Sequence, residues 1–274
     1  MARSSGNFKN GTPKKSRFMG RHRKHHFRIR TRLKMQKRFL QILVISCCIF
    51  FWNCNPSDDA TEIIEETIPT NYRYLALGDS YTIGQSVCET CRFPAQLIDS
   101  LRLKANENDT FELEIIAQTG WNTSQLINAV AQNNPEPTFD LVTLLIGVNN
   151  QFQNRPFSLY ETEFPILLQT AITLAKGNPQ NVIVVSIPDY AFTPFGQGWG
   201  IPANTSTQLD NYNAFAQEYT ESLGITFVNI TDITRNGLQN PSLVASDNLH
   251  PSTLAYSLFV SRILPFASSK LGLQ

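Results

Sequence analysis

From residue 71 onward, short apolar runs rich in β-branched residues alternate with longer amphipathic stretches. The short runs predict buried strands, and the longer stretches predict helices that cover a sheet. Such alternation is typical of a parallel sheet with helices on its faces. Strands are predicted at residues 72–77, 111–117, 141–146, 182–187 and 225–230. The pattern therefore predicts an α/β fold, a three-layer α/β/α sandwich with a central, mainly parallel five-stranded sheet.

Helices are predicted between these strands, near residues 93–104, 122–133, 159–176 and 207–223. A last helix is predicted to open after Pro251, because the missing N–H of proline costs nothing in a first helical turn.

Polar groups follow the predicted strands at their carboxyl ends, where open parallel sheets form their ligand sites. These groups are residues 78–82 (GDSYT) after the first strand, 119–121 (TGW) after the second, 147–150 (GVNN) after the third, and 247–250 (DNLH) beyond the fifth. We therefore expect residues that are distant in sequence to converge on one rim.

The pattern before residue 71 is different. Residues 39–52 form a run of 14 with one amide and no charge, too short to span roughly 30 Å of hydrocarbon comfortably as a helix. It has the length of a signal-peptide core, and Met35-Gln36-Lys37-Arg38 supplies a positive region before it. Met35 is thus the predicted start, and residues 1–34 are predicted to be untranslated or a basic N-terminal extension.

No small-x-small cleavage site follows this core, but Cys54 stands where the chain turns polar. Residues 35–54 resemble a bacterial lipoprotein signal, in which the cysteine becomes the lipidated first residue. Cys47 is a competing site, and an uncleaved anchor or an ordinary secretory signal are the other interpretations. Residues 55–70 hold five acids and two prolines and are predicted to be a solvated tether. The predicted location is the bacterial cell envelope, lipid-anchored to the membrane on its periplasmic or outer side.

The composition, 42% hydrophobic and 16% charged, is that of one globular domain with appendages. The net charge of +1 hides a segregation, since residues 1–38 hold 14 of the 23 Lys and Arg residues and no acid. Residues 39–274 therefore have nine basic against 22 acidic residues, a net charge of −13. This acidic body argues against a nucleic-acid partner. It also contains a single histidine, His250, so any histidine chemistry must use that residue.

Cys88 and Cys91 form a C-x-x-C sequence. In a cytosolic chain this would suggest redox chemistry or half of a zinc site, but no second pair of ligands accompanies it. Behind an export signal we predict a short-range disulfide that staples a loop.

The rim residues include the groups that nucleophilic catalysis requires. A serine hydroxyl needs a base to take its proton, and histidine has a suitable pKa for that task. The base in turn needs an acceptor on its other nitrogen, which Asp247, three residues before His250, can supply. Donors for an oxyanion are available from the N–H groups of Ser80 and Gly120 and from the Asn149 amide.

GDS followed by YT, the glycine of TGW, the GxN of GVNN and the DxxH of DNLH resemble the four blocks of the SGNH (GDSL-type) hydrolases, in order, over nearly all of residues 71–270. The resemblance implies a flavodoxin-like fold with no cofactor and no metal. It also implies Ser80 as nucleophile, with Gly120 and Asn149 as further oxyanion donors. One position departs from the family, which commonly has Asp where this chain has Asn150. The main rival hydrolase motif, G-x-S-x-G, is absent from the sequence.

Structural roles are the alternatives for the same residues. Ser80 suits a helix N-cap, Gly120 suits a turn with positive φ, and Asn149 suits a loop-stabilising amide. Asp247 and His250 together suit the start of the last helix. The loop of residues 188–207 is predicted to form an aromatic lid or an apolar wall, or to be pinned by its own rings, which belong to Tyr190, Phe192, Phe195 and Trp199.

The sequence therefore predicts an exported serine esterase or lipase-like hydrolase that cleaves a carboxylic ester through a Ser80–His250–Asp247 acyl-enzyme mechanism. An O-acyltransferase with the same triad and a catalytically silent, surface-tethered binding module are the alternatives. The substrate is left open among acetylated glycans, lysophospholipids, short esters and thioesters, and the oligomeric state is not predicted.

Overall fold

The computed structural model describes residues 68–198, 200–201 and 203–273. In this part of the chain, five strands form one sheet in the order β2-β1-β3-β4-β5, and every neighbouring pair is parallel. The strands are β1 (Asn71–Gly78), β2 (Thr110–Ala117), β3 (Leu141–Leu145), β4 (Val182–Val185) and β5 (Thr226–Val228). The predicted five-stranded parallel sheet is confirmed, with strand ends within about two residues of the predicted ones.

Eight α-helices occur in the described ranges, and the five long ones match the five predicted helices. They are α1 (Ser80–Ile83), α2 (Phe93–Arg102), α3 (Thr123–Asn133), α4 (Val148–Phe152), α5 (Phe157–Leu174), α6 (Thr205–Ser222), α7 (Thr231–Thr234) and α8 (Thr253–Lys270).

The placement of Pro251 in the first turn of the last helix is wrong. The N-cap of α8 is Ser252, whose hydroxyl accepts a hydrogen bond from the Ala255 N–H at 3.2 Å. Pro251 lies outside the helix, in an antiparallel bridge with Val244. Serine is a good N-cap because its oxygen satisfies one of the free N–H groups of the first turn.

The helices pack in two groups. Helix α2 contacts α8, whereas α3, α5 and α6 contact one another in series. The central strands β3 and β4 are buried at every residue, as expected of strands covered on both faces. The edge strand β2 keeps exposed positions.

The register of the sheet places the carboxyl ends of β1, β2 and β3 side by side. Gly78 pairs with Ala117 of β2 on one side and with Leu145 of β3 on the other. A side chain at Gly78 would lie 2.5 Å from the Leu145 carbonyl, so only glycine fits this close approach. The loops that leave β1, β2 and β3 therefore start side by side.

The sheet order also reverses at β1, because the chain passes from β1 to β2 on one side and then returns to β3 on the other. Such a switch point opens a crevice beyond the carboxyl ends of the two strands.

The predicted N-terminal extension, the signal segment and the lipidation candidates Cys54 and Cys47 lie outside the described residues. None of the helices in the described ranges is long and apolar enough to cross a membrane. The same ranges contain no group of three His, Cys, Asp or Glu side chains that could hold a metal ion.

Candidate active site

Ser80 is the first residue of α1 and lies two positions after Gly78, the last residue of β1. The N-cap is Asp79, whose Oδ1 accepts a hydrogen bond from the Tyr81 N–H at 3.0 Å. Gly84, at a left-handed φ of 74°, ends the helix after a single turn. The alternative role of Ser80 as the helix cap is therefore wrong. Within the described residues its hydroxyl has no hydrogen-bond partner, and the residue is only 5% exposed.

His250 and Asp247 form a hydrogen-bonded pair, with His250 Nδ1 2.6 Å from Asp247 Oδ2. The other carboxylate oxygen, Oδ1, accepts from the backbone N–H groups of Leu249 and His250, each at 3.0 Å. Asn248 adopts a left-handed φ of 65° between them, a conformation that asparagine tolerates better than most residues. The turn holds the carboxylate against the imidazole, leaving the other ring nitrogen, Nε2, available.

Asp247 also accepts a hydrogen bond from the Ser86 hydroxyl at 2.6 Å. Partial burial alone would raise the pKa of the Asp247 carboxyl, but the hydrogen bonds from Ser86, His250 and the backbone outweigh it and lower the pKa to about 2. The group is therefore an ionised acceptor throughout the neutral range. No sequence motif marked Ser86, which lies in a loop 161 positions away along the chain.

Gly120 lies in the loop after β2 with a φ of 87°. Nothing lies within 4 Å of the position that a Cβ would take, so the backbone conformation, and not lack of space, favours glycine. Its carbonyl accepts a hydrogen bond from Gln153 Nε2 at 2.8 Å. In the described part of the chain its N–H has no backbone acceptor, so it is available as a donor.

Asn149 is the second residue of α4 and is almost fully buried. Its Nδ2 donates to the Trp121 carbonyl at 2.9 Å, in the same loop as Gly120. An amide nitrogen carries two N–H groups, so one is free to donate elsewhere. Asn149 is thus held in place by a loop contact and still has a donor to offer.

Asn150, the position that departs from the family pattern, connects two elements. It is fully buried. Its Oδ1 accepts from the Thr123 N–H at 3.0 Å, and its Nδ2 donates to the Thr123 hydroxyl at 2.6 Å. The uncharged amide serves here because one side chain must both donate and accept. It fixes the start of α3 to α4, the short helix that follows β3.

A cleft of ≈ 200 Å³ brings the predicted residues together. Ser80, Gly120, Asn149 and His250 all line it, and Asp247 stands behind His250 as its partner. The aromatic loop contributes Tyr190 and Phe195 to an apolar wall, which is completed by Val148, Phe152 and Leu249.

Phe192, another ring of the aromatic loop, is not among the described residues that line the cleft. Phe192 lies under the Arg235 guanidinium, 6.0 Å from it, and Trp199 is outside the described residues. The loop therefore forms an apolar wall with part of its rings.

Cys88 and Cys91 form a disulfide in the structure, with their Cα atoms 4.9 Å apart. The bridge lies just before α2, in the loop that also carries Ser86, and it encloses residues 88–91. Neither of the two cysteines lines the cleft.

Asp79 is a second carboxyl close to Ser80, and it is completely buried. Burial raises its pKa to about 7, although the Tyr81 N–H opposes this shift. Its Oδ2 has no hydrogen-bond partner within the described residues.

Enzymes that split esters without a cofactor use a serine hydroxyl beside an imidazole whose orientation a carboxylate fixes, and this cleft contains both groups. Together with this sheet, it places the protein among the serine ester hydrolases. The chain belongs to the GDSL-like lipase/acylhydrolase family, whose model matches residues 76–258. The resemblance read from the four sequence blocks is thereby confirmed.

Solved structures share the fold. An acetylxylan esterase from Geobacillus stearothermophilus is 17% identical with a TM-score of 0.54, covering 76% of this chain and 97% of its own. A member of the lipolytic G-D-S-L family from Veillonella parvula is 18% identical with a TM-score of 0.53, covering 71% and 97%. A lipase/acylhydrolase from Enterococcus faecalis is 17% identical with a TM-score of 0.54, covering 74% and 97%. Comparison with curated proteins gives no match.

Proposed function

We propose that the protein hydrolyses a carboxylic ester through an acyl-enzyme on Ser80. The observation that carries the proposal is the Asp247–His250 pair at 2.6 Å, with His250 lining the same cleft as Ser80. Asp247 holds the proton on His250 Nδ1, so Nε2 is free to accept the proton of the Ser80 hydroxyl.

The reaction then proceeds in two halves. Ser80 Oγ attacks the ester carbonyl carbon while His250 takes its proton, and the oxyanion accepts hydrogen bonds from the Ser80 N–H, the Gly120 N–H and the Asn149 amide. The alcohol leaves with the proton from His250. A water molecule, deprotonated by His250, then attacks the acyl-enzyme, and the carboxylic acid and free Ser80 are released.

The cleft favours a small acyl group. Its volume of ≈ 200 Å³ is below the roughly 300–1,000 Å³ of sites that enclose drug-sized ligands. The apolar wall suits a short hydrocarbon chain or an acetyl group. The acetylxylan esterase from Geobacillus stearothermophilus, which shares the fold, acts on an ester of that size.

The test uses p-nitrophenyl acetate, butyrate and octanoate with the full-length protein, followed by a serine-directed fluorophosphonate and intact-mass analysis. We expect the fastest turnover with the short esters and a single adduct on Ser80. The Ser80→Ala variant should show neither. Turnover by Ser80→Ala, or an adduct on another residue, would contradict the proposal.

Acylated acceptor as the main product in the presence of a sugar alcohol would instead favour an acyltransferase with the same triad. Absence of both adduct and turnover would favour the binding module.

We also propose that the chain is exported and lipid-anchored through Cys54, and that the Cys88–Cys91 pair is oxidised there. The apolar run before Cys54 and the acidic stretch after it support this proposal. Labelling cells with a radioactive fatty acid should mark the wild type and Cys47→Ser but not Cys54→Ser. Label retained in Cys54→Ser would assign the anchor to another residue.

A further inference from the structure

A second cavity, of ≈ 380 Å³, is bounded by α4 and the first turns of α6. Helix α4 follows β3, and α6 follows the loop that leaves β4, so this cavity opens at the same rim as the cleft. We call it the amide groove, after the four amides that line it beside one guanidinium. Its polar lining residues are Gln151, Asn154, Arg155, Gln208 and Asn211.

The amide groove and the cleft share a wall. Gln151, which lines the groove, accepts a hydrogen bond from the Tyr190 hydroxyl at 2.8 Å and donates to Gln208 at 2.7 Å. Tyr190 lines the cleft, as do Asn149 and Phe152 of the same helix as Gln151. A ligand with its ester in the cleft is thus separated from the groove by one layer of side chains.

Three polar side chains of the groove have no partner in the part of the chain that the structure describes. Asn154, Arg155 and Asn211 are exposed, and their side chains form no hydrogen bond or ion pair with any described residue. The described residues that line the groove include no carboxylate. The neighbouring Asp210 does not line the groove and pairs with Arg235 at 2.7 Å, a guanidinium that also pairs with the buried Asp189 at 2.9 Å. Arg155 is therefore a cation with no ionic partner among the described residues, on a chain whose net charge over residues 39–274 is −13.

We propose that the amide groove binds a carboxylate-bearing sugar in the alcohol part of the substrate, which makes the substrate an O-acylated acidic glycan. This inference rests on the proposed ester hydrolysis. Amides both donate and accept hydrogen bonds, as sugar hydroxyls do. A guanidinium forms paired hydrogen bonds with a carboxylate, and the single charge of Arg155 matches that of one carboxylate.

The test compares three substrates of the full-length protein: O-acetylated polygalacturonate, neutral O-acetylated xylan and p-nitrophenyl acetate. Arg155→Gln should lower kcat/KM for the acidic glycan about tenfold through KM, in line with loss of a charged hydrogen bond. The other two substrates should change less than about twofold, since neither carries a carboxylate.

Lys104→Gln is the matched control. Lys104 is likewise exposed and forms no ion pair with a described residue, but it lies between α2 and β2, at the opposite rim of the sheet. The Lys104→Gln variant should leave kcat/KM unchanged for all three substrates. Wild-type kinetics of Arg155→Gln on the acidic glycan would overturn the proposal, as would an equal loss on xylan or in the Lys104 variant.

Calorimetry measures binding in the amide groove without any turnover, so it tests the groove independently of the proposed hydrolysis. Trigalacturonate is titrated into Ser80→Ala and into the double variant with Arg155→Gln. We expect Kd to rise about tenfold in the double variant even if no ester is turned over. An equal Kd in both proteins would remove the groove as a carboxylate site.

Discussion

At the scale of single residues, the Asp247 carboxylate is the most fully hydrogen-bonded group of the site. Backbone N–H groups occupy Oδ1, while His250 and the Ser86 hydroxyl share Oδ2. Ser86 thus helps to fix the oxygen that orients the imidazole. It does not line the cleft, so we regard it as a positioning residue.

We expect Ser86→Gly to lower kcat about tenfold with little change in KM, because loss of one charged hydrogen bond of about 1.4 kcal/mol loosens the orientation of His250. Glycine suits the left-handed φ of 69° at this position, so the melting temperature should hold. Ser86→Asn, which tolerates that φ and carries a donor, should recover part of the rate. An unchanged kcat in Ser86→Gly would exclude the positioning role.

The adjacent residues Asn149 and Asn150 should respond differently to replacement by alanine. Asn149→Ala should lower kcat roughly 10²–10³-fold, the effect of removing one oxyanion donor, with a small change in stability. Asn150→Ala should cost on the order of 1–3 kcal/mol of unfolding free energy, because it leaves the Thr123 N–H buried without its acceptor. Steady-state kinetics and urea unfolding of both variants test this contrast. A full rate in Asn149→Ala would remove that amide from the oxyanion hole.

Asp79 should make stability depend on pH. Its pKa is about 7 when folded and 3.8 ordinarily, so between about pH 4 and 7 the folded protein keeps a proton that the unfolded chain has released. Stability therefore falls as pH rises through that window, by up to roughly 4 kcal/mol. Asp247 acts in the opposite direction, and its contribution is lost only as pH falls from about 4 to 2.

The expected result is that Asp79→Asn flattens the stability profile between pH 4 and 7. Asparagine keeps the side-chain oxygen that caps α1 but cannot ionise. Urea unfolding across this range measures the effect, with Asp79→Ala as the control that also removes the cap. A profile as steep as that of the wild type would assign the pH dependence to another group.

At the scale of elements, the sequence pattern predicted all five strands and the five long helices, but not the three short helices. The continuous apolar runs of β3 and β4 are buried at every residue, so their pattern predicted them well. Helices α1, α4 and α7 have only four or five residues. One turn cannot show a helical period, so these helices could not be predicted from the pattern, although α1 and α4 carry Ser80 and Asn149.

The loop between α1 and α2 has both Ser86 and the Cys88–Cys91 bridge. We expect Cys88→Ser to lower the melting temperature, since a bridge over so short a loop contributes roughly 2 kcal/mol in the chain-entropy model. It should also reduce kcat severalfold while leaving fluorophosphonate labelling of Ser80 intact. Differential scanning fluorimetry with and without reductant is the measurement. Unchanged melting together with full activity would show that the bridge is dispensable.

At the scale of the whole molecule, the hydrophobic pattern predicted that polar groups converge on one rim, but which strands are neighbours was implied only by the resemblance to a flavodoxin-like fold. That depends on where the chain reverses direction across the sheet, and the reversal places β1 between β2 and β3. The sequence could predict that Ser80, Gly120 and Asn149 lie together at one cleft, because their residue types and order match the motifs of the family. Ser86 and the amide groove could not be predicted, since their contacts join segments that no motif links.

Because all five strands are parallel, the domain has two opposite rims. The front rim, at the carboxyl ends of the strands, holds the cleft, and the back rim lies at their amino ends. Strand β1 begins at Asn71 and ends beside Ser80, and its eight residues span roughly 26 Å. The end of α8 returns to the same back rim, where Lys270 donates to the Gln180 carbonyl just before β4. Strand β1 therefore begins, and α8 ends, at the rim opposite the cleft, so neither of these two ends lies where a polymeric substrate would approach Ser80.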